Sequence, residues 1–308
     1  MSKNKYYLYL AFVILIWGVI PMVTVYFYDY FSASVFNAAA ALISASAFTA
    51  LSWKSRHLMN RRYLLIAGIT GSCYSLATIV QRIGLQYTTP SMFAFLENTS
   101  CIVVPILLVL LVKKKSHPLV WMASVLCLIG CFVLSGANFG SGFGIGEILC
   151  ALAGLLFSGN IVGTGSYGKG MHVTLYLTVQ MWVHVVLSTL TMLILHFVQK
   201  DGAPIEAMRM EWRPGLILAL ILVILISNTF CWILRTKIIQ NANMTVVSIA
   251  MPLSAVVTMI MSVIAGTDTL SVQLVAGACI IVAALILSAF GEIAETKKAA
   301  QPEEVMQK

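Results

Sequence analysis

Long apolar stretches alternate with short polar breaks along nearly the whole chain. A bilayer core about 30 Å thick is crossed by roughly 20 residues of helix at 1.5 Å per residue. The pattern therefore predicts an all-α membrane protein with about ten transmembrane helices, near residues 6–28, 34–53, 63–86, 90–112, 117–136, 145–166, 173–198, 214–236, 243–265 and 270–290. The polar residues after Gly291, among them Glu292, Lys297, Pro302 and Glu303, read as a short frayed tail, 291–308, on the cytoplasmic side.

Composition agrees. Of 308 residues, 60% are hydrophobic and only 10% are charged, against roughly 25% charged in a soluble domain. The formal charge of +8 does not point to nucleic acid, because the basic residues sit in short breaks between apolar runs. With the N-terminus inside, the inner segments hold Lys3 and Lys5, Lys54, Arg56, Arg61 and Arg62, Lys113 to Lys115, Lys169, Arg235 and Lys237, and Lys297, Lys298 and Lys308. Only Arg82, Lys200, Arg209 and Arg213 fall outside. That bias predicts both termini in the cytoplasm and an even number of spans in the cell membrane. The first apolar run is longer than a signal-peptide core and lacks a small-x-small cleavage site, so it reads as a retained helix. The seven cysteines (Cys73, Cys101, Cys127, Cys131, Cys150, Cys231, Cys279) all lie in apolar runs without C-x-x-C spacing. They read as packing residues, not as a disulfide or zinc framework.

The chain also looks doubled. Five spans fill 1–136, a charge-free loop follows at 137–144, and five more spans fill 145–290. Halves with an odd number of spans insert in opposite senses, which gives a 5+5 inverted-topology repeat, an architecture of transporters with a site near the midplane. Trp17–Gly18 in span 1 matches Phe157–Ser158–Gly159 in span 6, and Pro105 in span 4 matches Pro252 in span 9.

The segment Gln81–Arg82–Ile83–Gly84–Leu85–Gln86–Tyr87–Thr88–Thr89–Pro90–Ser91, with Val103–Val104–Pro105 behind it, resembles the span 3–4 hairpin of the drug/metabolite transporter superfamily, EamA-like group. Trp17–Gly18, Gly146–Glu147–Ile148–Leu149 with Leu156 to Asn160, and Asn241 to Pro252 fit the same group. The resemblance implies ten helices as two inverted halves around a central cavity lined by spans 1–4 and 6–9, and a small metabolite as substrate, often exported. The sequence departs from the group at Asn37, where an arginine is common, at Met251, where an acid is common, and at Glu97, where a small or hydroxyl residue is usual.

Glu97 is the most informative single residue. It falls about 10 Å below the outer surface at 1.5 Å per residue, where a carboxylate must be paired, hydrated or protonated. It reads either as a substrate or proton site or as a structural partner of Arg82 at a similar depth. Span 4 places Ser91, Asn98 and Pro105 on one row and Glu97, Cys101 and Pro105 on an adjoining one, which predicts an inward polar face. Asn160, Gln180 and Asn228 are further polar groups within spans; Trp17 is too deep for an interfacial belt, and Trp232 shares a face with Asn228. Together they predict a pocket with Trp17 and Trp232 as walls and Asn98, Asn160, Gln180 and Asn228 as polar contacts. Glu147 reads as a helix-start carboxylate and His184 and His196 as packed histidines.

Some signals carry nothing. Gly163–Thr164–Gly165–Ser166–Tyr167–Gly168–Lys169 imitates a P-loop, but Gly170 stands where Ser or Thr must bind magnesium, so the stretch reads as a flexible inner loop. Gly140–Ser141–Gly142 has no histidine motif to serve it, and Asn98–Thr99–Ser100 and Asn243–Met244–Thr245 fall in or at spans. No cofactor and no metal site is expected. The reading is a secondary transporter of an amino acid, amine or drug-like solute, working as an exporter by alternating access and driven by a proton or exchange gradient. The few acidic residues in the spans argue against a multiply charged cation. A membrane sensor or scaffold is the alternative; an intramembrane enzyme lacks a nucleophile and base at matching depth.

Overall fold

A computed structural model describes residues 3–85, 87–88, 95–113, 116–136, 144–200, 203–241, 244–266 and 271–305. Within them lie ten helical spans long and apolar enough to cross a membrane: Tyr6–Tyr28, Ala33–Leu58, Arg61–Gln81, Phe95–Val112, Pro118–Ser135, Ile145–Ser166, Val173–Phe197, Pro214–Asn241, Met244–Ile264 and Val272–Ala294. They are spans 1 to 10. A two-residue ribbon, Gln199–Lys200 paired antiparallel with Ala203–Pro204, lies between spans 7 and 8.

Three of the boundaries that differ from the pattern's prediction have a physical cause or consequence. Span 2 ends in a 3₁₀ turn at Trp53–Leu58, where Arg56 stacks on Trp53 at 4.6 Å. Span 8 runs on to Asn241, five residues past its predicted end, so Arg235 lies well inside it. The last helix continues to Val305 where a frayed tail was expected; the added stretch is rich in alanine, glutamate and lysine, which favour helix.

The chain forms two compact units that cut across its two halves. The first holds Met1–Ile79 and Gly163–Gln240, the second Val80–Val162 and Asn241–Lys308.

In the first unit spans 2 and 7 pair antiparallel. Trp182 donates through Nε1 to Thr49 Oγ1 at 3.0 Å, and Ser52 Oγ lies 2.9 Å from Thr178 Oγ1, so numbering rises on one helix as it falls on the other. Ala45 and Phe48 pack with Leu177 and Met181 in the same seam.

The second unit is built on spans 5 and 10, brought together by glycines. A Cβ on Gly130 would sit 2.8 Å from the Ile281 side chain, one on Gly277 would sit 2.5 Å from the Leu134 backbone nitrogen, and one on Gly291 would sit 2.8 Å from Val120. The residue numbers in these three pairs share one total, the mark of an antiparallel register. The sequence step that carries Gly130 to Gly277 also carries Leu134 to Ile281 and Pro105 to Pro252. The inverted repeat is therefore written into the packing as a two-fold relation between spans 5 and 10. Small side chains make the approach possible: Ala123, Cys127, Gly130 and Cys131 face Gly277, Ala284 and Ser288 from buried positions.

Candidate functional site

The aromatic core of the first unit forms where four spans meet at one depth. At 1.5 Å per residue, Trp17 lies about 16 Å from Tyr6, Tyr74 about 20 Å from Arg61, His184 about 16 Å from Val173 and Trp232 about 14 Å from Asn241. Alternation puts those four ends on the same membrane face, so the rings share the middle of the bundle. The contacts agree. Trp17 and Trp232 lie 5.8 Å apart between centroids, Tyr74 and Trp232 4.8 Å, and Tyr74 and His184 4.8 Å.

A local irregularity in span 8 holds this cluster. Leu225–Phe230 is a π-helical turn, and the Cys231 N–H reaches back to the Ile226 carbonyl. Such turns shift the backbone bonding by one residue and recur at functional sites. Within the turn the Ser227 carbonyl accepts the Trp17 indole N–H at 3.0 Å, which fixes the ring against Trp232. The same turn alters the spacing between Asn228 and Trp232, so the α-helical argument for a shared face does not carry over. Asn228 is half-buried and accepts from the neighbouring Ser227 hydroxyl at 3.4 Å.

Arg235 follows one turn below Trp232, with its guanidinium carbon 4.5 Å from the centroid of that ring. It is only 6% exposed. Charge counting assigns it to the inner segments, at the very end of the predicted span, because apolar residues give way to Arg235, Thr236 and Lys237 there. Its position one turn beyond a deep tryptophan was the available signal.

Gln180 takes part in a separate polar chain. Its amide donates to Thr70 Oγ1 at 2.7 Å, Thr70 Oγ1 lies 2.6 Å from the Tyr176 hydroxyl, and Thr164 Oγ1 lies 3.1 Å from the same hydroxyl. Glycines permit it: a Cβ on Gly71 would sit 2.8 Å from Gln180 Cα and one on Gly163 2.5 Å from Thr70 Cγ2. The chain ties spans 3, 6 and 7 together. Gln180 is thus a buried structural donor, and not the open polar contact expected of it. Tyr176→Phe is expected to lower stability by about 1–2 kcal/mol, since it removes a buried hydroxyl serving two threonines; thermal unfolding of purified protein measures this, and an unchanged midpoint would show the chain to be dispensable. The P-loop mimic ends this region as an ordered turn, not a flexible loop, because Gln240 donates to the Gly168 carbonyl at 2.9 Å and Gly170 takes φ +79°.

The second unit holds the other candidates. Glu97 ends a short helical turn, and the Gln81 side chain hydrogen-bonds to its carboxyl. The Glu97 side chain is exposed. Arg82 stands in the helix of span 3, and its side chain lies outside the described residues. Span 4 is interrupted at Asn98–Thr99, where backbone bonds shorten to the i→i+3 type: Asn98 N–H to Phe95 O and Cys101 N–H to Asn98 O, each 3.2 Å. This break ends the predicted inward face. Ser91 lies outside the described residues, and Cys101 reaches the Ser124 carbonyl of span 5 at 3.7 Å. Span 9 breaks at Met251–Pro252, between helices Met244–Ala250 and Leu253–Ile264. Asn98 is half-buried and Asn160 fully buried.

Glu147 has the helix-start role expected of it. Its carboxylate accepts the Gly144 N–H at 2.8 Å and the Thr88 hydroxyl at 2.5 Å. His184 is packed on Tyr74 and lies 3.2 Å from Ser75 Oγ. The cysteines are free, and five of them are buried. Among the described residues no group of three or more His, Cys, Asp or Glu is placed to hold a metal ion.

A solved crystal structure of a protein superposes on the chain with a TM-score of 0.74 at 15% identity, covering 94% of this chain and 98% of that one. The two share a fold. No curated relative matches the sequence. The family model of the EamA-like transporter family matches residues 4–136 and again 144–290. Ten apolar helices, an antiparallel two-fold pairing of spans 5 and 10, and a family match repeated over both halves agree: the chain is a multi-pass membrane protein belonging to the EamA-like transporter family, within the drug/metabolite transporter superfamily.

Proposed function

We propose that the chain is a secondary transporter that exports a small organic solute, an amino acid, amine or drug-like metabolite, across the plasma membrane by alternating access, with both termini in the cytoplasm. The family match across both halves carries this reading. The aromatic cluster supports it, since deep tryptophans beside polar side chains suit a solute with an apolar body. Trp17 and Trp232, in the first unit, supply an apolar wall, with Asn228 as a polar contact. Glu97 takes the proton or the charge of the solute, with Asn98 and Asn160 as further polar contacts and Arg82 as a second charge. The helix breaks at Asn98–Thr99 and Met251–Pro252 expose backbone groups of the kind transporters use around a site.

The test is metabolite profiling inside and outside cells with wild-type protein, a Trp17→Ala/Trp232→Ala double variant and empty vector. One compound class is expected to accumulate outside with wild type and not with the other two. No shift of any solute despite membrane expression, repeated in proteoliposomes, would move the chain to the sensor or scaffold reading.

A further inference from the structure

We propose that the connection between spans 2 and 3, residues 53–62, is a docking site for the headgroup of an anionic phospholipid. The inference goes beyond the transporter reading and does not depend on it.

The segment Trp53–Lys54–Ser55–Arg56–His57–Leu58–Met59–Asn60–Arg61–Arg62 joins the two spans at one membrane face. Its permanent cations, Lys54, Arg56, Arg61 and Arg62, are all exposed. Among the described residues none of them joins an ion pair. The acidic residues of the first unit, Asp29, Asp201, Glu206 and Glu211, fall between spans 1 and 2 or between spans 7 and 8. Alternation of the spans puts those connections on the opposite membrane face. Basic residues clustered directly beside a spanning helix attract anionic headgroups, and guanidinium groups pair with phosphate oxygens through two donors at once.

Charge alone would serve any anion; the apolar residues single out a lipid. Trp53 is 60% exposed, with the Arg56 guanidinium stacked on it at 4.6 Å, and Leu58 and Met59 in the same connection are exposed as well. Tryptophan in such a setting belongs at the level of the headgroups. The segment is also held in shape. The Met59 N–H donates to the Arg56 carbonyl at 3.0 Å, the Tyr63 N–H donates to Asn60 Oδ1 at 3.1 Å, and Ser55 Oγ lies 3.3 Å from His172 Nε2 at the start of span 7. A site ordered in advance loses little freedom on binding. Basic residues that served only to orient the chain would not distinguish one phospholipid from another, and that difference is measurable.

The probe is a fluorescent phosphatidylglycerol bound to the purified full chain in neutral detergent micelles. It is displaced with unlabelled phosphatidylglycerol, phosphatidylcholine or glycerol phosphate. Phosphatidylglycerol is expected to act at a concentration at least about tenfold below phosphatidylcholine. Glycerol phosphate, which lacks acyl chains, is expected to displace nothing over the same range. The triple variant Arg56→Gln/Arg61→Gln/Arg62→Gln is expected to bind phosphatidylglycerol at least about tenfold more weakly, and Trp53→Ala to bind it more weakly than wild type. Lys113→Gln/Lys114→Gln/Lys115→Gln removes the same charge from another connection and is expected to bind as wild type does. Equal displacement by the two phospholipids overturns the inference, and so does a folded triple variant that binds as wild type. An equal loss in the Lys113 to Lys115 control overturns it too, since net charge would then be the whole cause. Displacement by glycerol phosphate where phosphatidylglycerol acts would make this a site for free phosphate and remove the lipid. Should the triple variant not fold, Trp53→Ala and the single Arg56→Gln decide in its place. Binding is read without transport, so failure here leaves the transporter reading untouched.

Discussion

Gly277→Leu is expected to cost the protein about 3 kcal/mol or more and to remove most of it from the membrane fraction. The reason is geometric. A Cβ at Gly277 would meet the Leu134 backbone nitrogen at 2.5 Å and Cα at 2.6 Å. Neither atom can turn aside as a flexible side chain does. Spans 5 and 10 would have to separate along a seam in which Cys127, Cys131, Leu134, Ile281 and Ala284 are all buried. In a membrane that packing is the main attraction between helices, since lipid solvates apolar side chains as well as protein does. Gly68→Leu is the control, because a Cβ there meets nothing within 4 Å. Melting curves of the purified variants should place Gly277→Leu far below wild type and Gly68→Leu close to it. Equal midpoints would show that the glycine seam does not hold the unit together.

Glu97→Gln is expected to lower transport by about tenfold or more and to flatten its dependence on pH, while the protein still folds. The amide has the same shape and keeps a hydrogen bond with Gln81. It cannot hold a negative charge or give up a proton. The helix break at Asn98–Thr99 lies directly behind it, so the carboxyl sits beside backbone groups removed from regular helix bonding. Efflux from loaded proteoliposomes over a series of pH values measures this, with Glu97→Asp expected to keep part of the activity. A Glu97→Gln protein with wild-type rate and wild-type pH profile would leave Glu97 a structural partner of its neighbours.

The ten spans were legible because apolar length is a one-dimensional property, and the match of Pro105 to Pro252 needed only counting. Trp17 could be named in advance because it is too deep for an interfacial ring, and Trp232 because a regular helix puts it on the face of Asn228. Other features depend on backbone departures that no periodicity reveals. The π turn at Leu225–Phe230 and the break at Asn98–Thr99 each shift the side chains that follow, so the rows drawn for span 4 and for Asn228 with Trp232 assumed a regular helix that is not there. Arg235 was hidden for a different reason. Charge patterning assigns every basic residue near a span end to water, and it cannot distinguish a residue that ends a helix from one that continues it. Gln180 had the right burial and the wrong role, since its partner Thr70 is more than a hundred positions away.

The seam of spans 5 and 10 has the symmetry of an isologous interface, in which every contact occurs twice. Gly130 meets Ile281 as Gly277 meets Leu134. A surface of that kind is the one by which two identical chains, inserted in opposite senses, form a closed pair. Covalent linkage of the halves has fixed one partner for each span, yet the geometry is still that of self-recognition. A lesion at Gly130 meets first the Ile281 side chain, where Gly277 meets backbone, so compensation for damage at Gly130 should be sought across the two-fold, at Ile281.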